Sequence, residues 1–253
     1  MPNNTTPDGQ TLPLSLKLVF TKAANGNAVH RMFDPAIKSK IDPQDYVVKR
    51  ESKTFEKQIN GGHGTLLVDK NGEPFALTMA WHTVANDNKG KPQHIYTETG
   101  TTLTRLPGFH SAQAVVAALV LHQWWNHNPK KKIAAEILKE NIPSRKLFEE
   151  TFRWRTIANP ATAKKINDLC NGNVVEDNNG GKPFSWYTCE KETLTHLAKS
   201  LLTMMDRGTL NRKDGTTIAL DLSELDKVGL TRARLEALAT GTTSKRELRK
   251  LTP

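Results

Sequence analysis

HIYTETGTTLTRLPGFHSAQAVVAALVLHQWW (residues 94–125) runs directly into NHNPKKKIAAEILKENIPSRKLFEETFRWRTI (residues 126–157). The pattern predicts a strand, a tight loop, an apolar helix, a second strand and a short helix: a β-α-β-α unit. In the first strand Tyr96, Glu98, Gly100, Thr102 and Thr104 alternate with Thr97, Thr99, Thr101 and Leu103, a period of two that places the sets on opposite faces. Pro107 and Gly108 end the strand, since proline withdraws a ladder donor and glycine admits a sharp turn. Ser111 is a candidate N-cap. Residues 114–121 are apolar on every side of a helix, which predicts a helix covered between layers. Its N-terminus, with unpaired amides and a favourable dipole, is a candidate anion site. Residues 132–138 (KIAAEIL) read as a buried parallel strand, and Asn141, Pro143 and Ser144 as the start of a helix with proline in its first turn.

Working outward, 253 residues allow one domain of about 170 to 200 residues with a small appendage. No apolar run approaches the ~20 residues of a membrane-spanning helix. The polar opening, MPNNTTPDGQTLPLS, predicts a disordered tail over residues 1–14 and a cytoplasmic protein, with delivery into a host cell left open. Cys170 and Cys189 lack metal-site spacing, and the eight histidines are scattered, so no metal is expected. A formal charge of +10 favours anionic partners.

Residues 15–21 read as an opening strand, 28–33 as a helical turn and 49–60 as an exposed helix stopped by Gly61 and Gly62. Residues 65–68 and 74–82 flank Asn71-Gly72 as a hairpin. Beyond the central unit, 159–169 reads as a helix and 184–189 as a closing strand. From Thr193 an amphipathic helix runs to Gly208, and a domain boundary is expected near 190. In residues 221–241 the apolar positions Leu225, Val228, Leu230, Leu235 and Leu238 surround Gly229 as in a helix-turn-helix. Thr231 is the candidate cap of its second helix. Arg232, Arg234, Lys245, Arg246, Arg249 and Lys250 form a basic set open to nucleic acid or to simple solvation.

The succession AEILKEN, Ser144, Phe148, Phe152, with PGFHSAQAVVAAL upstream, resembles the GNAT N-acetyltransferase superfamily. The likeness covers about 60 residues well and roughly 170 loosely. It implies an α/β (α+β) fold with a mixed, mostly antiparallel sheet flanked by helices over residues 15–190; the change of texture after Thr193 adds a basic helical extension over 191–253. It also implies acetyl transfer from acetyl-CoA to a primary amine by direct attack on the thioester. The acceptor stays open among small molecules, protein lysines and tRNA-linked amines. So does a binding protein that kept the fold without turnover and contacts nucleic acid through its C-terminal helices, or an effector that modifies a target protein.

Carried over position by position, the resemblance makes the strand amides of Thr102, Leu103 and Thr104 the expected seat of the pantetheine arm. Phe109, His110, Ser111, Ala112 and Gln113 become the pyrophosphate loop. Glu98 is the expected general base, with Tyr96 and Ser144 as further catalytic candidates; Asn141 bonds the arm or an ordered water, or only caps its helix, Ser144 donates to the same arm, and Phe148 lines the thioester. Two departures stand out. Aligning Pro107 and Phe109 preserves loop length but leaves His110, Ser111, Ala112, Gln113 and Val115 where the family carries Arg or Gln and glycines; taking Arg105 to Gly108 as Arg-x-x-Gly puts the turn earlier. Phe148 replaces the tyrosine that protonates the leaving thiolate, which transfers that task to Tyr96, Tyr187 or water.

Overall fold

The computed structural model describes residues 5–47, 52–86, 92–126, 132–159, 184–241, 245–248 and 250. Among them nine strands form one mixed sheet in the order β6-β7-β5-β4-β3-β2-β1-β9-β8. These are β1 (Ser15–Phe20), β2 (Gly64–Val68), β3 (Pro74–Asn86), β4 (Pro92–Thr104), β5 (Lys132–Leu138), β6 (Arg155–Thr156), β7 (Phe184–Thr188), β8 (Thr209–Asn211) and β9 (Thr217–Asp221). Two pairings, β4 with β5 and β1 with β9, are parallel; the rest are antiparallel. The expected mixed, mostly antiparallel sheet is therefore present. The helix expected over 159–169 lies, from residue 160 on, outside the described residues.

One face of the sheet carries α1 (Gly26–Met32), α2 (Pro35–Ile41) and α3 (Ser52–Asn60). There Val29, Met32, Phe55 and Ile59 close over Leu66, Leu77, Met79, Trp81 and Leu103. The opposite face carries α4 (Ser111–Asn126), and Ala114 through Leu121 are fully buried. Their all-round apolarity has a direct cause: α6 (Lys191–Arg207) lies over the side of α4 that the sheet leaves open. Leu194, Leu197, Ala198, Leu201 and Met204 recur at helical spacing and join α4 in one cluster. Each such leucine contributes about 1.5–3 kcal/mol of burial. Between these elements sits α5 (Ile142–Lys146), continued by a π-helical turn over Leu147–Thr151.

The segment after 190 departs from the purely helical extension expected of it. Gly208, at φ 61°, caps α6 in the left-handed conformation that glycine tolerates. The chain then forms the β8–β9 hairpin, which joins the main sheet because Ser15, Leu16 and Lys17 pair with Ala219, Leu220 and Asp221. Leu225, Leu230, Leu235 and Leu238, from α7 (Glu224–Lys227) through α8 (Arg232–Ala239), belong to the same cluster as α4. The short α9 (Lys245–Leu248) adds Leu248 to that cluster.

The basic helix-turn-helix also needs correction. Arg234 is buried; its guanidinium lies 4.7 Å from the Trp125 ring and donates to Gly229 O at 2.8 Å and Leu248 O at 3.3 Å. Arg232 pairs with Asp206 at 2.7 Å. An arginine spent on carbonyls and an indole inside the fold is not presented to a nucleic acid. Thr231 holds the N-cap position of α8 without a side-chain capping bond. The side chains of Lys245, Arg246 and Arg249 lie outside the described residues, and Lys250 is exposed.

The expected tail is corrected as well. From Thr5 onward the segment is ordered: Thr5 bridges Thr11, and Thr6 N–H donates to Gln10 O at 2.7 Å. The cause is Arg105, fully buried at the end of β4. It donates to Asp8 through Nε and Nη2, and through Nη1 to Glu73 at 2.6 Å and Pro74 O at 3.0 Å. Phe75 lies beneath it, 5.2 Å away. A buried guanidinium must be paired, and Asp8 supplies a charge that Glu73 alone does not. Burial acts to raise the Asp8 pKa, but hydrogen bonds from Arg105 and Thr6 and the Arg105 charge outweigh it and hold the carboxyl below its ordinary 3.8. Among the described residues no helix is long and apolar enough to cross a membrane.

Asp8→Asn should cost about 3 kcal/mol of unfolding free energy at pH 7, measured by denaturant titration, because Arg105 loses a buried partner. A carboxylate with a lowered folded pKa stabilises fully above its unfolded pKa and loses that contribution as pH falls through the folded value. The gap between variant and wild type should therefore narrow below about pH 3.8.

Candidate active site

β4 and β5 begin as a parallel pair, with Tyr96, Thr97 and Glu98 opposite Lys132, Ile133 and Ala134. There the pairing stops. β4 continues to Thr104 along β3, while β5 continues to Leu138 along β7. The two strands diverge toward their C-terminal ends, leaving the backbone of residues 99–104 without a β5 partner in the sheet. The divergence begins beside a β-bulge. Met79 pairs with Thr101 and Ala80 with Thr99, so the register skips Gly100. A bulge bends its strand and increases its twist, which turns β4 away from β5 at the point of parting.

Arg105 N–H donates to Phe75 O on β3 at 2.8 Å. Successive strand amides point to opposite edges, so the Thr104 and Thr102 amides face the gap. Their side chains are engaged elsewhere: Thr102 Oγ1 meets Thr78 Oγ1 at 2.9 Å, and Thr104 Oγ1 meets Ser111 Oγ at 2.6 Å. The Leu103 side chain is buried under α1 and α3. In this segment the free chemistry belongs to the main chain.

The bulge also overturns the alternation read from sequence. Cross-strand partners share a face, and Glu98 pairs with Trp81 as Leu103 pairs with Leu77. Glu98 thus lies on the α1–α3 side with Trp81 and Leu103, whereas Thr102 and Thr104 face α4. The Glu98 carboxylate, on a residue only 3% exposed, lies over Gly100. A Cβ built on Gly100 would stand 2.7 Å from Glu98 Oε1 and 3.3 Å from Trp81 Cδ1. Glycine therefore leaves the carboxylate its place beside the bulge of β4. Of Tyr96, only the backbone pairing is described.

At the open end, the β4–α4 loop turns through Gly108 (φ 82°) and His110 (φ 60°). His110, rather than Ser111, is the residue before the helix, and its carbonyl accepts from Ala114 N–H at 3.1 Å. Ser111 instead donates to Leu106 O at 3.2 Å and contacts Thr104, which fastens the helix start to the end of β4. His110 is exposed, Ala112 is half-buried, and the Phe109 ring is buried with Arg212 5.0 Å above it. Gln113 donates to Ser200 of α6 at 2.9 Å.

The other side of the opening is more committed than expected. Asn141 caps α5, its Oδ1 accepting from Ser144 N–H at 3.1 Å. Phe148 is 4% exposed and packs with Trp154 at 4.9 Å, Phe152 at 6.3 Å and Tyr187 at 6.5 Å. The Tyr187 hydroxyl donates to Glu149 Oε1 at 2.5 Å, and Arg145 donates to the same oxygen at 3.1 Å. Burial and the Glu149 hydrogen bond push the Tyr187 pKa up. For Glu149 the Tyr187 bond is the largest influence and outweighs burial, holding its carboxyl below 4.5. Tyr187 therefore keeps its proton and donates it in a hydrogen bond to the neighbouring Glu149 carboxylate.

Two features escaped the sequence reading. A bulge leaves no motif, although a glycine inside a β-branched strand was its available sign. His196, Lys199, Thr203 and Arg207 lie on the polar face of α6 and border the loop at His110. Their spacing was legible, but their neighbour was not.

No family model and no curated protein matches the chain. The structure is similar to diaminobutyrate acetyltransferase EctA from Paenibacillus lautus, solved with L-2,4-diaminobutyric acid and coenzyme A, at 10% identity and TM-score 0.44, over 69% of this chain and 94% of that one. It is similar to a GNAT-family acetyltransferase from Listeria monocytogenes at 10% identity and TM-score 0.45, with coverage of 69% and 94%. The GNAT domain of S. lividans PAT is similar at 14% identity and TM-score 0.43, with coverage of 73% and 93%.

Tyr187→Phe should lower stability at pH 7 by about 1 kcal/mol, since one buried hydrogen bond is lost and Glu149 keeps only Arg145. Glu149's contribution is present above its ordinary 4.5 and disappears as pH falls through its lowered value. Urea titrations at pH 7 and pH 3 should show the variant's deficit at the first and a smaller one at the second.

Proposed function

We propose that this protein is an acetyl-CoA-dependent N-acetyltransferase that moves an acetyl group to a primary amine. The observation that carries the proposal is the parting of β4 from β5 after Glu98 and Ala134, with the amides of Thr102 and Thr104 turned into the opening. A slender thioester-bearing arm suits such a gap, because unpaired strand amides offer hydrogen bonds to its amide groups and its carbonyl oxygen. The substrate's phosphates would lie at the N-terminus of α4, which the contact between Ser111 and Thr104 holds at the wide end of the opening. Ligands of open sheets with parallel strands commonly bind beyond the strands' carboxyl ends.

In this reading the acceptor amine approaches from the α1–α3 side, where Glu98 lies over Gly100. Glu98, directly or through one water, takes a proton from the amine. The amine nitrogen forms its bond to the acetyl carbon while the carbon–sulfur bond breaks, and the departing thiolate takes a proton from solvent. Water fills that last role because Phe148 has no proton to give and Tyr187 is bound to Glu149. Asn141 and Ser144 border the opening through the α5 cap rather than through reserved side-chain donors. A positive surface favours acceptors that carry phosphate or acidic groups. A cytoplasmic setting is part of the same proposal.

Acetyl-CoA should raise the melting temperature of the full chain, and acetyl transfer should be measurable across a panel of lysine peptides, polyamines and small amines. Glu98→Gln should reduce kcat about 100-fold, within the range for loss of a general base, while the melting shift stays intact. Gly100→Ala, which pushes a methyl group into the Glu98 carboxylate, should also lower kcat with the fold retained. A melting shift without transfer to any amine would favour a non-catalytic acyl-CoA binder; no shift at millimolar acetyl-CoA would reject the proposal.

A further inference from the structure

Beside the start of α4 lies a cleft of about 330 Å³, bounded by the β4–α4 loop, the end of the π-helical turn at Thr151, the second half of α6 and β8. Its charged and titratable lining is of one kind: His110, His196, Lys199 and Arg207, with no aspartate or glutamate among the lining residues. Lys199 and Arg207 are exposed, and neither forms an ion pair among the described residues. Asp206, next to Arg207, is turned to Arg232 instead. The Gln113 to Ser200 hydrogen bond ties the first turn of α4 to α6 and sets the spacing of the two walls. The cleft thus combines two cations, neutral hydroxyl and amide groups, and the N-terminal end of a sixteen-residue helix.

From this geometry we infer that α6 completes a phosphate-binding site, with Lys199 and Arg207 as its cations. The inference rests on the acetyl-CoA reading and deepens it: a helix added after the central sheet, rather than the turn alone, holds the phosphorylated end of that substrate. The physical need is specific. The β4–α4 turn, residues 107–111, carries no lysine or arginine, so its own pull on an anion is limited to the helix dipole and main-chain amides. Two side-chain cations on the facing helix supply what the turn lacks. They also explain why a solvent-facing stripe of α6 keeps charges of one sign beside the loop.

The phosphates that fit this chemistry are the pyrophosphate and the ribose 3′-phosphate, and binding assays separate them. Isothermal titration with acetyl-CoA, with its 3′-dephospho form and with acetyl-pantetheine should be run on the full chain and on Lys199→Gln/Arg207→Gln. The double variant should bind acetyl-CoA at least about tenfold more weakly and acetyl-pantetheine unchanged. An equal loss toward the 3′-dephospho form assigns the cations to the pyrophosphate; a loss confined to acetyl-CoA assigns them to the 3′-phosphate. Thr203→Glu, which puts a negative charge into the same cleft from an exposed position, provides a second route should the double variant not fold, and should weaken acetyl-CoA by a similar factor. If the wild type binds acetyl-CoA and folded variants match it within twofold, the α6 site is overturned while the acetyltransferase reading stands. If the wild type binds none of the three ligands, that reading falls and the inference with it.

Discussion

A single extra residue in β4 organises this molecule. Because Gly100 has no partner in the β3 register, β4 bends there, and it bends immediately after its last pairing with β5. A parallel pair that stayed joined to Thr104 and Leu138 would be an ordinary sheet interior, with its amides spent on the ladder. Parted, the same strands expose main-chain donors along one wall of a groove. They also deliver the chain to two helices at its wide end. The bulge further rotates Glu98 onto the face of Trp81, away from the side occupied by α4. One local irregularity thereby separates a wall of main-chain donors from a carboxylate on the other side of the sheet.

Holding such an opening in a folded chain requires rigidity on both sides of it. β5 remains fixed by β7, and the turn after β5 is fixed by the Asn141 cap. Behind it, Phe148, Phe152, Trp154 and Tyr187 pack as one aromatic group, with the Tyr187–Glu149–Arg145 bonds at its edge. On the β4 side, Thr104 is tied to Ser111, and Arg105 is clamped between Asp8 and Glu73. The N-terminal segment and the β2–β3 turn thus hold the end of the strand on which the opening depends. The C-terminal residues serve from the other direction, with α6 covering α4 and the β8–β9 hairpin extending the sheet beyond β1.

How much of this could be read in the residues differs by element. The α4 helix, the β5 strand and the helix start at Asn141 were legible because their signals are local: a long apolar run, a short apolar run, and Asn followed by Pro. The hairpin at Asn71-Gly72 follows from a turn chemistry confined to a few positions. Glu98 was singled out correctly as a strand residue, yet its face was misread, since alternation is reliable only where register is unbroken. The tail was misread for a different reason. Asp8 lies among polar residues that promise disorder, and the guanidinium that orders it is 97 positions away.

By itself, the amino-acid sequence determined the central strand, helix, strand and helix start from β4 to α5, which helix must be covered, and that the chain carries excess positive charge. Only the tertiary structure decided that β4 and β5 part, which face Glu98 occupies, and that Arg234 is buried rather than presented to a partner. It alone brought Lys199 and Arg207 to the β4–α4 turn. The physical reason is common to all four: periodicity and turn chemistry act over a few residues, whereas strand pairing, ion pairing and the meeting of two helices are set by what the folded chain brings together from far apart.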